Sequence, residues 1–224
     1  RQLNEQFSIT GLLATAGLGY LTGSAIAPAL KAAAETVKGA LTGYGNKMAL
    51  YLGISSANAK SQVILNPKTW SQIQNQFTAL ETQMKVPQGT IKSKIKTIGT
   101  QGFKDKAAQL YSAMDGLDPF DQGERQVKTV FGQIPTLYDM TGVAVRYGVK
   151  EGQNLYQWIK GDGLAGFAAR DLKGKPMVNY NRKNYSDLES FTAAVMKDLK
   201  EVSRLEGIKA KGQDEEQKAK DKAE

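Results

Sequence analysis

The chain of 224 residues contains no cysteine and no histidine. Disulfides, thiolate nucleophiles, imidazole bases and nearly all zinc, copper and haem sites are therefore closed to it. It also has no GxxxxGK[ST] phosphate loop, no internal repeat and no interdomain linker rich in proline or serine. Nucleotide hydrolysis at a phosphate loop has no support as a result. What is there is ordinary: 41% apolar and 23% charged residues, close to the averages of globular proteins, so the bulk of the chain should fold rather than stay disordered. The length suits one domain plus an appendage, or two small domains, with one core as the default. The chain opens at Arg1 rather than Met, which reads as a processed or truncated start.

The net charge is +8, and its placement matters more than its size. From Lys197 to Glu224 there are eight Lys/Arg and eight Asp/Glu, so the whole excess lies in the first 196 residues. A basic body of this kind favours an anionic neighbour such as lipid headgroups, nucleic acid or an acidic subunit.

Residues 6–30 carry no charge and are flanked by Glu5 and Lys31. At about 1.5 Å per residue a helix of this length can cross a bilayer core of about 30 Å. Gly11, Gly17, Gly19, Gly23 and Pro28 dilute its hydrophobicity. Gly19 and Gly23 form a small-xxx-small pair, extended by Thr15 on one side and Ala27 on the other, which is a surface for close helix contact. The alternative is a soluble, buried helical hairpin. If the segment spans, Lys31, Lys38 and Lys47 outweigh Arg1 and place the C-terminal body on the positive-inside face. Residues 31–53 read as a short amphipathic helix broken by Gly39, Gly43 and Gly45.

Asn66-Pro67 is a helix start, since Asn caps free N–H groups and Pro tolerates the first helical position. Behind it Trp70, Ile73, Phe77, Leu80 and Met84 make an apolar stripe at spacings of three and four, ended by Pro87. It reads as a core face rather than a coiled-coil seam. Asp118-Pro119 repeats the start signal, followed by Val127, Phe131 and Ile134; Pro135 interrupts, and Leu137, Met140, Ala144 and Tyr147 resume, so a kinked or split helix is expected. Ser186-Asp187-Leu188-Glu189 reads as a capping box before a stripe of Leu188, Phe191, Val195, Leu199 and Val202 that ends at Gly207. Beyond Gly207, Lys alternates with Asp and Glu, as in a solvated tail or a fraying helix end.

Three patterns were weighed for chemistry. Gly161-Asp162-Gly163-Leu164-Ala165-Gly166 fits GxGxxG, but dinucleotide binding needs a buried strand ahead of the glycines, and Asp162 would oppose a phosphate. A glycine-rich turn between helices is the simpler reading. Asp115, Asp118, Asp121 and Glu124 recur every three residues without the spacing of a calcium loop, and acids at a helix N-terminus already account for them. Ser93-Lys94-Ile95-Lys96 fits SxxK without its companion elements and is a chance match in a lysine-rich segment. Catalytic, cofactor-binding and metal-ligating residues are accordingly assigned to none.

The basic stretch is more informative. Lys85, Lys92, Lys94, Lys96, Lys104 and Lys106 fall within 22 residues that contain one acid, Asp105. As a helix, Ile91, Ile95 and Ile98 share the opposite face; as a strand, Ile91, Ser93, Ile95 and Thr97 alternate with the lysines. Either way one face is cationic and suits an anionic partner. Only Phe103 is interleaved, so any nucleic-acid contact would be with phosphates rather than bases. Next to a membrane segment, anionic headgroups are the natural partner.

The expected architecture is mainly α: an apolar Gly/Ala-rich N-terminal helical anchor or hairpin over 1–53, a basic helical bundle over 54–207 and a charged tail over 208–224. The expected role is a non-enzymatic structural or accessory subunit of a membrane-associated assembly, with protein subunits as partners, no cofactor and no small-molecule substrate. In texture alone, the Gly/Ala/Thr-rich segment followed by Lys- and Gln-rich helices resembles bacteriophage tape-measure and DNA-ejection proteins. That resemblance covers about the first third of the chain and implies a virion protein without assigning any functional residue. A nucleotide-binding enzyme built on residues 161–166 is a further alternative.

Overall fold

A computed structural model describes residues 57–115 and 122–221. The apolar segment 6–30, its contact residues Thr15, Gly19, Gly23 and Ala27, and the helix expected over 31–53 lie outside the described residues. Among the described residues no helix is long and apolar enough to cross a membrane.

The described chain is mainly helical, as the periodicity indicates. In order it runs α1 (Ala57–Ile64), α2 (Pro67–Gln83), α3 (Thr90–Ser93), β1 (Ile95–Lys96), α4 (Gly99–Met114), α5 (Gln122–Gln133) and α6 (Leu137–Tyr147). A hairpin follows, β2 (Val149–Lys150) and β3 (Gln153–Asn154), then α7 (Leu155–Gly161), α8 (Ala165–Gly174), β4 (Val178–Tyr180), β5 (Lys183–Tyr185) and α9 (Leu188–Asp221).

The hub is α6, which packs against both α2 and α4. Its sequence explains this: from Leu137 to Ala144 the only charge is Asp139, and every residue of that run is buried. A helix that is apolar all round has to be enclosed. Pro135 splits the stripe as its missing N–H and fixed φ require, α5 ending at Gln133 and α6 starting behind the N-cap Thr136. The free N–H groups of Leu137 and Tyr138 donate to the carbonyls of Pro176 (2.9 Å) and Met177 (3.0 Å), so the start of α6 is tied to the chain entering the sheet. The α2 stripe faces this core, with Ile73, Phe77 and Leu80 buried and Asn66 accepting from Lys68 N–H at 2.9 Å.

Two small antiparallel sheets accompany the helices, which the sequence reading did not include. One has the order β1-β4-β5, with Ile95 opposite Tyr180 and Val178 opposite Tyr185; the other pairs β2 with β3. Both hairpin turns place two residues at positive φ, Asn181 and Arg182 in one and Glu151 and Gly152 in the other. That backbone matches the twist of a two-residue hairpin and is usually signalled by Asn-Gly or Asp-Gly, so Asn181-Arg182 and Glu151-Gly152 give only a faint local cue. The basic stretch resolves the choice between helix and strand by using both in turn: α3 carries Ile91, and β1 carries Ile95 and Lys96.

The last helix differs from expectation in two ways. Its first turn is capped by Asp187, one residue past the expected Ser186, with the Asp187 carboxylate accepting from Ser190 N–H (2.8 Å) and Ser190 Oγ (2.6 Å). Its 34 residues also run through Gly207 to Asp221 without a break. Phe191, Val195, Met196 and Leu199 are buried, whereas every residue from Arg204 to Lys218 is exposed. At about 1.5 Å per residue, roughly 25 Å of helix leaves the domain.

Candidate functional site

A cleft of about 220 Å³ lies where α2, α3, β1, α4 and α6 meet. Its aromatic wall is Trp70 from α2, Phe103 from α4 and Tyr138 from α6. Trp70 stands edge-on to Phe103 with ring centres 5.4 Å apart, and tilted against Tyr138 at 4.6 Å; each such pair adds about 0.5–1.5 kcal/mol beyond area burial. Gln74 Nε2 donates to the Tyr138 hydroxyl at 2.7 Å, and burial pushes that phenol up to about 12. The ring is thus a neutral fixture of the wall.

The mouth is cationic. Lys92 from α3 and Arg146 from the last turn of α6 both line the cleft and are exposed. Among the described residues neither forms an ion pair. Thr97 and Thr100 supply hydroxyls at the rim, and no Asp or Glu of the described residues lines the cleft.

Behind the rim, Asp139 fixes the junction of β1 and α4. Its Oδ1 accepts from Ile98 N–H (3.0 Å) and its Oδ2 from the Thr136 hydroxyl (2.6 Å), while Asp139 N–H donates to Thr136 Oγ1 (3.0 Å). Burial raises its carboxyl above the usual range; the bonds from Thr136 and Ile98 pull the other way. A raised folded value means that the protonated form is favoured by folding. This contribution is fully present below the ordinary value near about 4 and is lost as pH rises through the folded value. The stability of the parent relative to Asp139→Asn should therefore grow as pH falls from neutrality toward 4, as measured by urea unfolding at each pH. A flat difference would contradict the assignment.

The six lysines of the basic stretch are dispersed by the fold. Lys85, Lys92, Lys96 and Lys104 are exposed. Lys94 pairs with Asp198 of α9 at 3.3 Å, and Lys106 donates to Gln133 of α5 and to Gln109. Lys92 alone of the six lines the cleft, where it meets Trp70 and Arg146, neither of which the sequence reading connected to it. Arg146 had one available signal, as the only basic residue in the apolar run of α6. Trp70 had none, because it falls on a stripe that is otherwise core.

Residues 161–166 comprise the last residue of α7, a three-residue turn from Asp162 to Leu164 with Gly163 at φ +74, and the first two residues of α8. A helix precedes these glycines where dinucleotide binding needs a buried strand, so the motif lacks its structural context. Of the four spaced acids, Asp115 caps the end of α4 and Glu124 pairs with Lys128, while Asp118 and Asp121 lie outside the described residues. Among the described residues no cluster of acidic side chains could hold a metal ion. Searches against family models, curated proteins and solved structures find no match to this chain.

Proposed function

We propose that this chain is a non-enzymatic structural or accessory subunit of a larger, membrane-associated assembly, tethered by residues 6–30 and joined to neighbouring subunits through its helical domain. The observation that carries the reading is the exposed half of α9. From Arg204 to Asp221 the helix continues for about five turns, and every residue as far as Lys218 is exposed. It also presents Leu205 and Ile208, 48% and 55% exposed, two of the three large apolar side chains exposed among the described residues. An arm of this kind is suited to a partner that covers it. Lys85, Lys96 and Lys104 add exposed positive charges suited to anionic headgroups.

Truncation after Gly207 separates an arm from a part of the core. Because every residue from Arg204 to Lys218 is exposed, the melting temperature should stay within about 2 °C of the full chain, the range of surface changes of about 0.5 kcal/mol. In extracts of its own source the full chain should run in a high-mass fraction from which the truncated form is lost. Liposome flotation of the full chain beside a deletion of residues 1–45 tests the tether, with flotation lost on deletion. A full chain that remains monomeric and fails to float would sink the proposal.

A further inference from the structure

We infer that the cleft between α2, α3, α4 and α6 is a binding site for a small amphiphilic anion: one ring-sized apolar group bearing a single carboxylate or phosphate. Size sets the first limit. A cleft of about 220 Å³ falls short of the roughly 300–1,000 Å³ of pockets for drug-sized ligands. It exceeds the dry cavity of about 150 Å³ that admits benzene. One ring with its substituent fits; a base, sugar and phosphate together do not.

Chemistry sets the second limit. Trp70 is the part-exposed ring of the wall, backed by the buried Phe103 and Tyr138, and a purely inorganic anion would leave that apolar ring uncovered. Among the described residues Lys92 and Arg146 at the mouth have no ion-pair partner and no Asp or Glu lines the cleft, so a cationic or neutral ligand would leave both charges unused. The Arg146 guanidinium offers a planar pair of donors to a carboxylate or phosphate, and the Lys92 ammonium adds a point charge. Thr100, on the rim, can donate a further hydrogen bond. The cleft belongs to the domain whether or not residues 6–30 enter a bilayer, so ligand binding and flotation fail independently.

Trp70 and Trp158 are the two tryptophans of the described residues, so Trp158→Phe in the full chain makes Trp70 the reporter. Titration with phenyl phosphate and with benzoate should change its fluorescence saturably, with Kd roughly 0.1–1 mM for ligands of about ten non-hydrogen atoms. Benzyl alcohol, which keeps the ring without the charge, and inorganic phosphate, which keeps the charge without the ring, should each bind at least about tenfold more weakly. The double variant Lys92→Ala, Arg146→Ala changes only exposed side chains and should keep its melting temperature. It should lose the aromatic anions by about tenfold or more while binding benzyl alcohol as before. Absence of saturable binding by both aromatic anions, unchanged affinity in the double variant, or inorganic phosphate matching phenyl phosphate would each overturn the inference.

Discussion

Replacing Glu81 with alanine should lower the stability of the domain by about 3–5 kcal/mol, which at this size corresponds to a fall of about 10 °C or more in melting temperature. Glu81 is 2% exposed. Its Oε1 accepts from Ile91 N–H at 2.7 Å and its Oε2 from Gly89 N–H at 2.8 Å. Gly89 is the N-cap of α3, adopts φ +86 and has no side chain of its own to cap that helix. The carboxylate of α2 is therefore the external cap, and removing it takes the partner from two backbone donors, the buried N–H of Ile91 and the part-buried N–H of Gly89. Glu81→Gln keeps the shape but turns an amide NH₂ toward a backbone donor, so it should fall between the parent and alanine. Thermal unfolding of the three proteins checks the order. Because α3 carries Lys92, affinity for aromatic anions should fall along the same series. An alanine variant melting within about a degree of the parent would show that the loop from Lys85 to Gly89 holds itself.

Substituting valine for Gly142 should cost about 3 kcal/mol, as read by thermal unfolding. A Cβ at Gly142 would lie 2.6 Å from Cζ of Phe103 and 2.8 Å from both of its Cε atoms. The ring cannot yield easily, being 5% exposed and set against Trp70. Alanine gains about 1 kcal/mol of helix propensity over glycine, yet forces the same overlap, whose cost in a packed core is about 1–3 kcal/mol. Gly142→Ala should therefore be mildly destabilising, and valine clearly so. The double-mutant cycle gives the decisive comparison. In a Phe103→Leu background the Gly142→Ala penalty should shrink or reverse, because the atom it strikes is gone. Additive effects would show that the strain lies elsewhere on α6.

These two sites also show how legible the chain is. Glu81 looks from the sequence like a surface residue on a helix, and nothing local announces that a backbone turn eight to ten residues later will close over it. Gly142 reads as a mild helix weakener, and only the closeness of α4 gives it a purpose. The capping error at α9 has a local cause. Ser186 and Asp187 are adjacent cap residues, and the start of the helix at Leu188 places Asp187 where its carboxylate reaches Ser190 N–H. The passage of α9 through Gly207 reflects another balance. Gly207 and, five residues on, Gly212 each cost about 1 kcal/mol, which stops a marginal helix but not one anchored upstream by Phe191, Val195 and Leu199.

By itself the sequence determined where α2, the split pair α5 and α6, and the start of α9 run, and which residues of each carry its apolar stripe. Stripes at spacings of three and four, Asn66-Pro67 and Pro135 act over one or two turns, and within that range the side chains and the backbone they constrain are neighbours in the chain. It also excluded cysteine and histidine chemistry outright. Tertiary structure alone decided the site. Trp70, Lys92 and Arg146 come together because α6, apolar on all sides, has to be enclosed by α2 and α4, and that enclosure brings helix ends from distant parts of the chain to one cleft. The same packing pairs Lys94 with Asp198 and directs Lys106 to Gln133. A run of six lysines thus becomes one cleft residue, two internal contacts and three exposed charges, a division that depends on contacts no local pattern encodes.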